Sequence, residues 1–149
     1  MPIQSEKFFR LKLCCFMTHA SIAETKRAIF QKIAEQIKRK FFLDFNIHIG
    51  IIIVDSRLMP ARIGTSGVAI ACSGIEPVTD LRGKKDLDGN PLKVTFQAVV
   101  DNLATIANHK MGEGGESKPF AIVRNSGAKL TDRKINSSEM AIAPEQCVY

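Results

Sequence analysis

The chain has 149 residues, 45% of them hydrophobic, the length of one domain with enough apolar side chains to bury a core. A formal charge of +6 admits an anionic partner, but 7% aromatic residues with no Trp and one Tyr argue against a stacking platform, so nucleic acid is disfavoured. No apolar run approaches the roughly 18 residues needed to span a bilayer, and four cysteines without a C-x-x-C pair exclude zinc-ligand spacing and favour reduced thiols in a cytoplasmic protein.

Residues 1–18 follow no amphipathic pattern and are read as a leader, with residues 19–149 forming a single domain. The segment from Phe8 to Met17 resembles a short signal-type apolar core, but Arg10 and Lys12 interrupt it. Ser21 and Glu24 then stand at capping-box spacing. They predict a helix ending near Phe42, with Ile22, Ile29, Ile33 and Ile37 on its apolar side, joined by Phe30 and Phe41. The interspersed lysines and arginines are read as a solvated face.

Ile47 to Val54 is short, β-branched and apolar on both faces, which predicts a central strand ending at Asp55. His48 within it is read as a hydrogen-bonded core or edge residue. Gly64 and Gly67 bracket a predicted turn before a second strand, Val68 to Ser73. Asp80 to Pro91 is polar and rich in turn formers, predicting a long exposed loop or hairpin. Thr95 is placed to cap a second helix whose apolar side holds Phe96, Val99, Val100, Leu103, Ile106 and Ala107, with Gly112 as its C-terminal stop. A glycine loop and a strand over Pro119 to Arg124 follow. The tail from Asn125 gives weak signals.

Two places carry chemistry. Asp55 and Ser56, at a strand end, offer two hard oxygen ligands to Mg2+ or Mn2+ from one turn; the competing reading is a carboxylate that caps the turn. The run Met111, Gly112, Glu113, Gly114, Gly115, Glu116, Ser117, Lys118 is the second. Its glycines let backbone N–H groups approach phosphate, and Glu113 adds a further cation ligand; the competing reading is an exposed connection. It is neither a Walker A loop nor a dinucleotide fingerprint, because the lysine and glycine spacings are absent. Arg82, Lys84 and Lys85 are candidates for contact with an anionic substrate, against a solvated loop. No nucleophile–base arrangement can be argued from spacing, so no catalytic residue is assigned.

The ordered series is more specific than either piece: a strand running into Asp55-Ser56, then GVAIACSGI, then DLRGKKDLDGNPLKVT, then MGEGG ahead of an IVR strand. Over most of residues 21–125 it resembles the glutamate ligases that act on the precursor of the deazaflavin coenzyme F420, and specifically their C-terminal portion. The resemblance implies an α/β fold of mixed sheets with flanking helices, a partial copy of that family's fold, and a homodimeric ligase dependent on GTP and a divalent metal. Such an enzyme joins L-glutamate to the coenzyme F420 precursor through an acyl phosphate. It implies Asp55, Ser56 and Glu113 as metal ligands and Met111 to Lys118 as a GTP-binding segment. The family's N-terminal part supplies another acidic ligand, for which this sequence offers no equivalent. Asn102 stands where an acid is common, and Asn125 where glycine is usual. A partner chain supplying the missing half is one expectation. The alternative is an inactive homologue that serves as a binding or interaction module for a full-length ligase.

Overall fold

The structure, a computed structural model, describes residues 13–17, 24–142 and 145. Its centre is a four-stranded sheet in the order β3-β2-β1-β6, built from β1 (Leu13–Met17), β2 (Gly50–Leu58), β3 (Thr65–Ser73) and β6 (Phe120–Val123). β1 runs parallel to β2, while the β2–β3 and β1–β6 pairs are antiparallel. Helix α1 (Glu24–Phe45) covers one face and α2 (Val99–Met111) the other. This is the mixed α/β arrangement with flanking helices expected from sequence. The Ser21 cap lies outside the described residues.

The alternation of side chains along β2 divides the core in two. Ile51 and Ile53 face α1, where they pack with Ala34, Ile49, Ile70 and Ala71. Ile52 and Val54 face α2, with Cys72, Val100, Leu103, Ala104, Ala107 and Met111. One bulge keeps β3 in step. Ile53 pairs with Ala71 and Val54 with Ala69, so Ile70 is the extra residue. That is why two successive residues, Ile70 and Ala71, serve the same α1-side cluster.

Several boundaries differ from the sequence reading, for identifiable reasons. Residues 13–17 of the predicted leader form an inner strand, because LCCFM is uniformly apolar and gives no period-2 signal. On α1 the inward face is Phe30, Ala34, Ile37 and Phe41, whereas Ile29 is 53% and Ile33 36% exposed. Small Ala34 lets the helix approach the sheet. β2 begins at Gly50 and continues to Leu58; Ile47 and Ile49 are apolar because they pack under α1, not because they lie in the ladder. Beyond Asp55 the strand becomes one arm of an exposed hairpin, where burial no longer demands apolar residues. His48 is exposed and sits with its ring centroid 4.9 Å from that of Phe42, neither in the core nor in the strand.

The charged segment is a hairpin arm. β4 (Val78–Asp80) pairs with β5 (Phe96–Ala98), and hydrogen bonds from Leu81 N–H to Thr95 O and from Leu92 N–H to Lys84 O continue the ladder toward its tip. Thr95 therefore precedes a strand and does not cap α2, whose N-cap is Ala98. Phe96 and Ile106 are both 52% exposed and contribute no core face. Gly112 does end α2, at φ 85°, donating its N–H to Asn108 O.

The weakly patterned tail holds the core from below. Thr131 N–H bonds to Gly74 O and Glu76 N–H to Lys129 O, which seats Ile135 in the α2-side cluster. Arg133 closes this crossing with ion pairs to Glu76 at 2.6 Å and Glu139 at 2.8 Å.

Candidate functional site

The site assembles where the exposed end of the β2–β3 hairpin meets the C-terminal end of α2. Register decides which side chains reach it. Ser56 pairs with Gly67 and Asp55 with Val68. Cross-strand partners share a face, and Gly67 abuts α2: a β-carbon there would lie 2.6 Å from both Ala104 O and Asn108 Cβ. Ser56 therefore stands on the α2 face and Asp55 on the α1 face. The two were expected at a turn, but β2 carries them as successive strand residues. Asp55 is half-buried, and its Oδ1 folds back along the strand to accept the Ser56 N–H at 2.9 Å.

Gly67 is needed for close approach, not for the turn expected from sequence; Gly64, at φ 101°, is the turn residue. Removing the side chain at 67 brings the helix backbone against the strand. Two bonds from α2 then fix the pair. Thr105 Oγ1 donates to Gly67 O at 2.9 Å, and Asp101 Oδ1 accepts Ala69 N–H at 2.9 Å.

Glu113 leaves the end of α2 into this junction. Its Oε1 accepts from Asn108 Nδ2 at 2.6 Å and from Thr65 Oγ1 at 3.0 Å. Charge-assisted bonds of this kind are among the stronger ones. Thr65, Gly67, Asn108 and Glu113, with Thr105 and Gly112, line a groove of about 440 Å3. Asn108 is 6% exposed, and its Oδ1 is buried without a hydrogen-bond partner among the described residues. The amide orientation follows from Glu113. A carboxylate accepts only, so the NH2 must face it and the carbonyl must turn away. An orphaned buried carbonyl costs about 1–3 kcal/mol.

The glycine run forms the outer wall. Gly114 N–H donates to Glu116 Oε2 at 2.8 Å, so the loop already holds an anionic oxygen, supplied by its own chain. A β-carbon at Gly112 would collide with the same carboxylate. Ser117 takes a left-handed φ of 53°, completing the tight path to β6.

The donor set is all hard oxygen, the chemistry of Mg2+ or Mn2+ and not of zinc. Among the described residues no three His, Cys, Asp or Glu side chains cluster to hold a cation. Of the three expected ligands, Glu113 lines the groove and Ser56 shares its α2 face, whereas Asp55 lies on the α1 face, so the described residues offer a cation here one carboxylate, with water and phosphate oxygens left to complete a shell of the kind Mg2+ commonly takes.

The other candidates lie elsewhere. Arg82 is engaged by Asp80 through both carboxylate oxygens, at 2.7 Å for the shortest contact, and lies 4.5 Å over the Phe96 ring. Lys84 and Lys85 are exposed on the hairpin arm. A larger groove of about 550 Å3 lies on the α1 side, near Lys38, Phe42 and His48, and is lined by none of the expected metal or nucleotide residues. Sequence reasoning missed Thr65, Gly67 and Asn108. Only Gly67 left a signal there, as a glycine inside a strand pattern.

Comparison with known proteins matches residues 30–125 to the family described as F420-0:gamma-glutamyl ligase. The chain is 40% identical over 101 residues to the coenzyme F420:L-glutamate ligase of Methanocaldococcus jannaschii, covering 68% of this chain and 41% of that protein. It is 40% identical over 91 residues to the same-named protein of Archaeoglobus fulgidus, covering 61% of this chain and 36% of that one. With that of Haloarcula marismortui it shares 44% identity over 75 residues, 50% of this chain and 29% of the other. The matched segments thus span at most 41% of the length of these relatives. The matched region contains β2, β3, the hairpin arm, α2 and the Glu113 loop, and on that ground the chain belongs to the F420-0:gamma-glutamyl ligase family.

Proposed function

We propose that this chain carries the C-terminal part of a GTP- and metal-dependent ligase site that joins L-glutamate to the coenzyme F420 precursor. The observation that carries the reading is the Glu113 carboxylate, held by Asn108 and Thr65 beside the glycine loop. Family membership supplies the reaction class.

In this reading a carboxylate oxygen of the precursor bonds to the γ-phosphorus of GTP, the bond to the β–γ bridging oxygen breaks, and GDP leaves. The amine of glutamate then bonds to the acyl carbon, phosphate departs, and the nitrogen loses a proton. A bound Mg2+ or Mn2+ would neutralise phosphate charge. The chain's own groups position and screen. Glu113 presents a negative charge, Ser56 brings an oxygen donor from the neighbouring strand on the same face, Asp55 offers a carboxylate from the opposite face of that strand, and Gly112, Gly114 and Gly115 leave room for phosphate beside backbone N–H groups. The remaining nucleotide contacts come from the part of the relatives that the matched segments do not span, whether on this polypeptide, a second copy or a partner chain. No described helix is long and apolar enough to cross a membrane.

Titration calorimetry with GTP, with and without Mn2+, tests this on the wild type, Asp55→Asn and Glu113→Gln. Metal-dependent binding that both substitutions weaken is expected. A folded protein that takes up GTP equally with and without Mn2+, or not at all, would overturn the reading for this chain.

A further inference from the structure

The geometry points to Asn108 as the positioning residue for Glu113 and the glycine loop, an inference that rests on the metal–nucleotide reading for its consequence but not for the contact itself. Asn108 grips the loop twice. Its backbone carbonyl accepts the Gly112 N–H at 2.9 Å, and its side-chain amide donates to Glu113 Oε1 at 2.6 Å. Its Cβ is wedged against the position where Gly67 lacks a side chain, which leaves the amide little freedom to swing.

The second observation is the orphan. The Nδ2 bond to Glu113 turns Oδ1 into a buried position with no partner among the described residues. A residue selected for packing would avoid this, since an apolar side chain of the same branched shape satisfies the space without stranding a carbonyl. The cost is compensated only by what the other half of the amide does, and that is to hold the carboxylate. Thr65, from β3, supports the same oxygen from the far side of the groove. Glu113 is thereby fixed between a helix and a strand, although it lies in a loop.

The test is Asn108→Leu, which keeps the shape and removes both the donor and the orphan. Thermal unfolding, 15N relaxation over residues 112–116 and Mn2+ binding alone are measured on it, with Glu113→Gln and the double variant alongside. The expected result has three parts: an unchanged or raised Tm, loop order parameters falling from the rigid range of about 0.85 toward 0.6, and Mn2+ affinity reduced about tenfold. The double variant then binds no more weakly than Glu113→Gln alone. Unchanged loop order and affinity overturn the inference. So does a Tm that falls while order is lost throughout the domain, the mark of a merely structural residue. A wild type that takes no Mn2+, combined with loop order lost in Asn108→Leu, overturns the metal reading and leaves the tether standing. Should Asn108→Leu fail to fold, Asn108→Ala removes the tether with less bulk and is read by the same loop and Mn2+ measurements.

Discussion

Gly67 and Asn108 stand so close that a β-carbon on the strand residue would lie 2.6 Å from the β-carbon of the helix residue. The contact sets the distance between α2 and the sheet, and so the width of the groove into which Glu113 projects. Gly67→Ala forces backbone to move, because the Ala104 carbonyl also stands 2.6 Å away and cannot rotate aside. A loss of about 1–3 kcal/mol is expected from overpacking, read as a lower midpoint in urea unfolding. Metal-dependent binding should fall by more than the stability loss explains. A variant as stable as wild type would show that α2 is not held by this contact.

The loop's own carboxylate competes with any phosphate. Glu116 accepts from Gly114 N–H at 2.8 Å, so a nucleotide meeting that N–H must displace it. Glu116→Gln removes the charge and keeps the length. GTP affinity in the presence of Mn2+ should rise, by up to about fivefold if the exposed backbone–carboxylate bond contributes about 1 kcal/mol. Weaker binding in calorimetry would place Glu116 among the ligands and remove the competition argument.

Stability should respond to acid through Glu76. Its hydrogen bonds to Arg133 hold the carboxyl below the usual carboxylate range. A depressed folded value means the contribution is present above the unfolded value near about 4.3 and is lost as pH falls through the folded one. The Tm difference between wild type and Glu76→Gln is therefore expected to be constant near neutrality and to vanish in strong acid. A difference that persists there would assign the effect to packing instead of charge.

Cys72 should be chemically silent in the folded protein. Burial is the main cause that pushes its thiol up to about 12, with Glu139 adding to it; the thiolate is the reactive form. At pH 8 the peptide containing Cys72 should escape alkylation in the native state and react in denaturant, as mass spectrometry would show. Native labelling at an exposed-thiol rate would contradict the packing of β3 against α2.

The central packing predicts its own weak point. Ile52 is fully buried between β1, β3 and α2, so Ile52→Ala should cost about 2–5 kcal/mol. Unfolding by denaturant would measure it, and a loss below 1 kcal/mol would mean the neighbouring chains collapse into the space.

Much of the candidate site was legible one piece at a time. The β-branched run announced β2, Gly112 announced the end of α2, and the order of motifs from Asp55 to the IVR strand announced the family. Each signal is local: side-chain branching, a left-handed φ or a hydrophobic period acts within a few residues and is written in them. Where burial stops, so does the signal. β2 runs on through Asp55 to Leu58 because antiparallel pairing with β3 continues in solvent, where the ladder imposes no apolar pattern.

What only the tertiary structure decided is which of those pieces touch. Thr65 and Glu113 are 48 residues apart, and their contact depends on the β2–β3 register, the bulge at Ile70 and the depth at which α2 lies on the sheet. The same register puts Ser56 on the α2 face and Asp55 on the other, a distinction the dipeptide does not carry. Asn108 reads as an ordinary polar residue near a helix end until Gly67 packs against it and Glu113 takes its amide. Local composition fixes the elements. The burial of one amide, its nitrogen bonded to Glu113 and its oxygen left without a partner among the described residues, is decided by where the elements meet.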